Sequence, residues 1–319
     1  MIKIGVIGVG SMGSNHLRVY NRLSAICRIT GIYDSQIDRA KDIAAKYRAE
    51  VYDDMDELIE NADALSIVVP SQFHFEVARR ALSRGKHIMV EKPLTTTIED
   101  AQALIRLASV NNAILQVGHI ERFNPAVREL KKILEGEEVL AIEFSRMSPY
   151  DPRVAETDVI QDLMIHDIDI LKYLFPYDEY GRMNALGAAP FTGQLADYVV
   201  ATFELSSGIV VSMAASRITE EKIRKIEVHT RSSFISVDLV ERKIVIARRT
   251  TASFVAELAS TYRHESVVER VYVPNYEPLQ EELESFVTTV RDGGIPLVTG
   301  EDGLFAIDVV EKIRKAVYS

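Results

Sequence analysis

A single cysteine, Cys27, among 319 residues excludes an intramolecular disulfide and a metal cage built from cysteines. No apolar run reaches the length that spans a bilayer. Long repeats and low-complexity segments are also missing. The amino terminus, Met1-Ile2-Lys3-Ile4-Gly5-Val6-Ile7-Gly8, enters a strand directly, with neither a basic leader nor a cleavage site. Basic residues are outnumbered, 37 Lys and Arg against 47 Asp and Glu, for a formal net charge of −10. So acidic a chain makes a poor general partner for a nucleic-acid backbone, and an anionic ligand would need its own local cations. What remains is a globular composition, 47% hydrophobic and 26% charged, long enough for two domains. The expectation is a cytoplasmic protein with neither nucleic acid nor membrane as partner.

Residues 1–120 alternate strand and helix signals. Lys3 to Ile7 reads as a strand, followed by Gly8-Val9-Gly10-Ser11-Met12-Gly13 and a helix through His16, Leu17, Val19 and Tyr20. Strand, Gly-x-Gly-x-x-Gly and helix in that order form a dinucleotide fingerprint. Gly8 allows the tight turn, Gly10 admits a pyrophosphate, Gly13 lets helix pack on strand, and the helix amino terminus offers free N–H groups. The second strand, Arg28 to Tyr33, ends on Asp34, about 20 residues past the last glycine, where the acid that binds the ribose hydroxyls belongs. Asp34 favours NAD over NADP, although Arg39 just beyond could offset its charge. Further units follow. A helix over 38–47 leads to a short strand at 50–52, and a helix over 55–60 to a strand over 64–69 that ends on Pro70-Ser71. A helix over 75–83 leads to the strand Ile88 to Leu94, and a helix over 98–111 to a strand over 114–117 that ends on Gly118-His119. The spacing requires right-handed crossovers and a doubly wound parallel sheet.

The strand Ile88-Met89-Val90-Glu91-Lys92-Pro93-Leu94 organises the rest. An apolar run that stops on a charged pair and a proline is a buried parallel strand whose carboxyl end carries chemistry, and Pro93 restricts the backbone of Lys92. Taken alone, Glu91-Lys92 reads as an ordinary strand-end salt bridge, and the rest of the chain must overturn that reading.

Beyond about 135 the grammar changes to strands with short turns, at 139–147, 198–205, 209–215, 226–230, 235–239 and 243–247, which predicts an antiparallel sheet. Helices are expected over 159–174, 279–291 and 303–317, the last spaced to pack on the first domain. The first of these carries Asp162-Leu163-Met164-Ile165-His166-Asp167-Ile168-Asp169. Asp162 and His166 share a helical face, so a carboxylate can hold one imidazole nitrogen while the other accepts a proton. A helix-surface His-Asp pair is the plain alternative. Metal binding ranks lowest, since no second histidine lies at ligand spacing.

The ordered set of Gly8 to Gly13, Pro70-Ser71 with His74, Gly85-Lys86-His87 into Glu91-Lys92-Pro93-Leu94, and Asp162-x-x-x-His166 resembles the Gfo/Idh/MocA dehydrogenases over essentially the whole chain. One departure is Met164, where many relatives carry glycine. The resemblance implies an α/β architecture: a Rossmann domain over 1–120, then an α+β domain over 121–319 with a large, mainly antiparallel open sheet used for assembly into a homodimer or homotetramer. It implies NAD(P)-dependent oxidation of a sugar or polyol alcohol, with Lys92, Asp162 and His166 at the catalytic positions. The cofactor would meet Gly8, Gly10, Ser11, Met12, Gly13, Asp34, Arg39, Pro70, Ser71, His74, Glu91 and Lys92. The stretch Gly118 to Val127 resembles the branch that oxidises C3 of UDP-N-acetylglucosamine. A pyrophosphate needs cations, and Arg122, Arg146, Arg153 and Arg217 fall at strand ends or in loops. Arg122, Asn124, Tyr150, Arg153 and His166 are therefore the expected substrate residues. A free sugar or inositol dehydrogenase is the alternative, and a non-catalytic NAD(P)-binding sensor is the second.

Overall fold

The computed structural model describes residues 1–152, 156–249 and 266–318. They form two compact units, Met1–Phe123 with Tyr276–Val309, and Asn124–Asn275 with Val310–Ser319. The second domain, expected as an unbroken 121–319, thus yields Tyr276–Val309 to the first. The reason is packing: Leu279, Leu283, Phe286 and Val287 are buried in one cluster with Ile4, Val6, Leu17 and Met89.

The first unit contains the strands β1 (Ile2–Ile7), β2 (Cys27–Tyr33), β3 (Ala64–Ile67), β4 (His87–Glu91) and β5 (Leu115–Gly118). All pair in parallel, in the order β2-β1-β3-β4-β5. Between them run α1 (Ser11–Arg22), α2 (Ile37–Tyr47), α3 (Met55–Asn61), α4 (His74–Leu82) and α5 (Ile98–Val110). Two apolar clusters cover the two faces: Ile88 and Val90 of β4 enter one, and Met89 between them enters the other. A strand buried on both sides reads as a continuous apolar run, which is why this segment was legible. Val51, expected within a short strand, makes only a single parallel bridge to Ile32.

The second unit opens with α6 (Pro125–Leu134), which the sequence reading did not anticipate, and β6 (Val139–Met147). The helix expected over 159–174 is present, with Ile160–Met164 wound as a π-helix ahead of α7 (Ile165–Leu174). Then come β7 (Asn184–Ala188), β8 (Tyr198–Glu204), β9 (Val210–Ser216), β10 (Ile223–Thr230), β11 (Ser233–Asp238), β12 (Lys243–Arg249) and β13 (Ser266–Val271). Neither β7 nor β13 was expected. Among the described residues the sheet order is β13-β12-β11-β10-β6-β9-β8-β7. It is antiparallel except for β6 and β9, which pair in parallel because the intervening chain crosses over through the α7 helix. Burial alternates: Ile142 and Phe144, Val199, Ala201 and Phe203, and Val211 and Met213 face inward. The outer face of 199–203 and 209–213 is mixed, with Thr202 and Val210 exposed and Val200 and Ser212 half-buried.

The closing helices are α8 (Pro278–Asp292) and α9 (Gly300–Tyr318). Expected to pack on the first domain throughout, α9 divides: Ile307 joins the core of the first unit, whereas residues from Val310 count with the second.

Candidate active site

A cavity of about 630 Å3 opens at the carboxyl ends of β1, β2 and β3, lined among others by Gly8, Gly10, Ser11, Met12, Asp34 and Pro70. The glycines have the physical reasons their spacing suggests. Gly8 has φ +89°, and a Cβ there would lie 2.6 Å from the Val68 carbonyl oxygen; a Cβ on Gly13 would lie 2.0 Å from the Gly8 oxygen. A Cβ on Gly10 would meet nothing within 4 Å, so space is left at the amino terminus of α1, where no side chain caps the helix. Free N–H groups and an open approach suit a pyrophosphate.

Asp34 closes the far wall. Its Oδ2 accepts from the Val9 N–H at 2.8 Å and its Oδ1 from the Gln36 N–H at 2.8 Å, while Arg39 donates to both oxygens, 2.7 and 3.2 Å away. Burial works to raise the carboxyl pKa, but Arg39 and the two amides outweigh it and hold the group below the ordinary carboxylate range. It is an ionised acceptor placed where the ribose hydroxyls belong. The donor set and the open Gly10 fit NAD.

Two other residues expected at the cofactor turn inward. His74 is buried, with Nδ1 2.7 Å from the Pro93 carbonyl oxygen and Nε2 2.9 Å from that of Val69. It ties together the chain leaving β3 and the chain leaving β4. Glu91 lies 3.0 Å from His16 Nε2, a partner 75 residues away that sequence spacing could not reveal. Lys92, next in the chain, is half-buried at the carboxyl end of β4. Ser71 begins a short 3-10 turn that leads into α4.

In the second unit, Asp162 lies in the π-helical stretch and His166 in the first turn of α7, both half-buried. Single π turns inside helices recur at functional sites. The helix is held at both ends of this segment. Asp158, buried, accepts from the Gln161 N–H at 2.9 Å and from Arg314 Nε at 2.7 Å, while Arg146 of β6 donates to Asp167 at 2.7 and 2.9 Å, both partners buried. Among the described residues no group of three His, Cys, Asp or Glu side chains could hold a metal.

The substrate cations expected from sequence are largely redirected. Arg122 is buried, with Nη1 3.0 Å from Asp302 Oδ2 and 3.0 Å from the Leu297 carbonyl oxygen. Arg217 is buried against Asp197 at 2.7 Å and the Thr157 carbonyl oxygen at 2.6 Å, and Arg146 is bound as above. A buried guanidinium needs a carboxylate partner, and these three have one. Asn124 is the N-cap of α6, accepting from the Ala126 N–H at 3.0 Å. Tyr150 is partly exposed and packs on Phe191 with ring centroids 4.9 Å apart. Arg153 lies outside the described residues.

Two family models match the chain: an oxidoreductase family's NAD-binding Rossmann fold over residues 2–119 and that family's C-terminal alpha/beta domain over 138–318. Among curated proteins, UDP-N-acetylglucosamine 3-dehydrogenase of Acidithiobacillus ferrooxidans is 37% identical over 78% of this chain and 77% of its own. An inositol 2-dehydrogenase of Paracoccus denitrificans is 32% identical over 66% of each. The solved structure of the Acidithiobacillus ferrooxidans enzyme superposes with a TM-score of 0.89 at 32% identity, over 99% of this chain and 97% of the other. A levoglucosan dehydrogenase in complex with NADH and levoglucosan shares the fold, with a TM-score of 0.84 at 21% identity, over 99% and 97% of the two chains.

Proposed function

Because this chain belongs to the Gfo/Idh/MocA oxidoreductases, an NAD-binding family, we propose that the alcohol it oxidises is the C3 hydroxyl of UDP-N-acetylglucosamine or of a closely related nucleotide sugar. The observation that carries this reading is the 37% identity to UDP-N-acetylglucosamine 3-dehydrogenase over 78% of the chain. Bound along the Gly8–Gly13 turn, NAD supplies the hydride acceptor.

The chain's own residues then handle position and protons. His166, oriented by Asp162, takes the hydroxyl proton. Lys92 hydrogen-bonds the same oxygen and stabilises the alkoxide character that develops there. Exchange of these two roles would leave the chemistry intact. Gly10 and the first turn of α1 receive the pyrophosphate, and Asp34 the adenosine ribose.

A second reading, oxidation of inositol or another free polyol, is favoured by one observation: of the four arginines expected to meet a pyrophosphate, Arg122, Arg146 and Arg217 are bound to buried or half-buried carboxylates, and Arg153 lies outside the described residues. A panel of UDP-N-acetylglucosamine, other nucleotide sugars, inositol and glucose, each with NAD and read by absorbance of the reduced nicotinamide, separates the two. Turnover of inositol or glucose without reaction or competition by UDP-N-acetylglucosamine overturns the nucleotide-sugar reading. We assign assembly as a homodimer or homotetramer to the outer face of the second unit's sheet, where, among the described residues, Leu186, Val210 and Phe234 are exposed.

A further inference from the structure

Glu91 stands immediately before the lysine assigned to the reaction, and its surroundings are unusually determined. Tyr20 Oη lies 2.7 Å from Ser66 Oγ, Ser66 Oγ 3.2 Å from His16 Nδ1, and His16 Nε2 3.0 Å from Glu91 Oε1. Tyr20, Ser66 and His16 are all at most 1% exposed. A carboxylate only accepts, so His16 Nε2 carries a proton and donates. With one proton on the ring, Nδ1 accepts from the Ser66 hydroxyl, and Ser66 Oγ in turn accepts from Tyr20. A single direction of donation, from Tyr20 through Ser66 and His16 to Glu91, satisfies every group. Burial pushes the Tyr20 phenol well above its ordinary range, which keeps it a donor.

The other side of the carboxylate is shaped by an absence. Register pairs Glu91 with Gly118 of β5, and a Cβ at Gly118 would come within 3.0 Å of Glu91 Oε2 and 3.1 Å of its Cα. Oε2 also lies 3.3 Å from the Lys92 N–H. The titratable groups that face Glu91 are His16 from α1, His74 from α4 and Lys92 beside it. Burial acts to raise the carboxyl pKa, but the hydrogen bond from His16 and the charge of Lys92 outweigh it and hold the group below the ordinary carboxylate range.

We propose that Glu91 is a positioning residue for Lys92, a fixed negative charge that keeps the lysine protonated and directed at the reacting oxygen, and that His16, on the helix that receives the cofactor, holds it there. This rests on the assignment of Lys92 made above. An opposite charge favours the charged form of its neighbour, so removing it weakens the lysine's hold on its proton. It also makes the glycine at 118 part of the active-site design, since a Cβ there would press on the carboxylate and on the Glu91 backbone at about 3 Å.

The test compares Glu91→Gln, His16→Gln, His16→Ala and Gly118→Ala by pH profile of kcat/KM, NAD dissociation constant and Tm. Glu91→Gln keeps shape and hydrogen bonding but not charge. It is expected to move the alkaline limb of the profile to lower pH and to reduce kcat at neutral pH about tenfold, leaving NAD affinity unchanged. His16→Gln, which retains a donor, should recover most of the limb that His16→Ala loses, and Gly118→Ala should resemble Glu91→Gln. A folded Glu91→Gln enzyme with the parental limb and kcat overturns the proposal, as does one whose defect lies in NAD affinity. If Glu91→Gln does not fold, the two His16 variants carry the same comparison, and equal limbs in both overturn it. Failure of the Lys92 assignment appears separately, as unchanged turnover in Lys92→Ala.

Discussion

Arg39 grips Asp34 through both carboxylate oxygens, Nη2 2.7 Å from Oδ1 and Nε 3.2 Å from Oδ2. The acid expected to bind the ribose therefore arrives with its charge partly answered by a side chain 40% exposed, which can move. Asp34 still repels a 2′-phosphate, so NAD is expected to exceed NADP in kcat/KM by about tenfold or more, ~1.4 kcal/mol. Asp34→Ala should narrow that ratio and Arg39→Ala should widen it. Equal use of NADP by the parent would refute the assignment of Asp34.

Turnover should depend on Lys92 and His166 together. Lys92→Ala and His166→Ala are each expected to lower kcat by about a hundredfold or more, with NAD affinity near its parental value. The proposed roles put both groups on one oxygen, which requires the double variant to lose much less than the product of the single losses. Steady-state kinetics and a cofactor titration check this, and near-normal turnover in either single variant removes that residue from the mechanism.

The buried pair of Arg217 and Asp197 gives a stability prediction with a sign. Burial works to raise the Asp197 pKa, but Arg217 and the Phe191 and Thr192 N–H groups outweigh it and depress it. A folded pKa below the unfolded value of about 3.9 contributes stability that is fully present above that value and is lost as pH falls through the lower folded pKa. Asp197→Asn should therefore flatten the decline of stability with pH below about pH 4. Arg217→Met, which strands a buried carboxylate, should cost about 3–5 kcal/mol at neutral pH. Denaturant midpoints across pH measure both, and a change under about 1 kcal/mol in Arg217→Met would contradict the burial argument.

Arg153, expected from sequence at the substrate's phosphates, can be tested directly. Arg153→Ala is expected to raise KM for a nucleotide sugar while sparing NAD affinity. Unchanged KM would shift weight to the free-polyol reading.

Assembly is checked by light scattering at micromolar concentration, where a dimer or tetramer is expected. A monomer would contradict the use of the open sheet face.

Much of the fold was legible because burial imposes periodicity. The alternation of β6 gave its bounds to the residue, and the unbroken apolar run of β4 gave its position, although the strand ends at Glu91 and not at Leu94. The missed elements lack that signal: β7 is exposed along almost its whole length, and α6 starts from an Asn-Pro pair that reads equally as a turn. In the site, the glycine turn and Asp34 were readable because they act through local backbone geometry. The roles of the arginines were not, since a guanidinium's fate depends on which carboxylate the fold brings to it. Arg122 meets Asp302 from 180 residues away, and Glu91 meets His16 across 75. In sequence those arginines are indistinguishable from phosphate ligands.

The first unit is discontinuous, and this sets an order of events during synthesis. A ribosome that has released residues 1–275 has made every strand of the parallel sheet but none of Leu279, Leu283, Phe286 or Val287, which complete one of its two apolar faces. Until α8 emerges, that face is open to water and to other chains. The cofactor-binding half, begun before the second unit, is thus closed only after residues 124–275 of that unit have been made, and until α8 appears the nascent chain carries an apolar face open to aggregation.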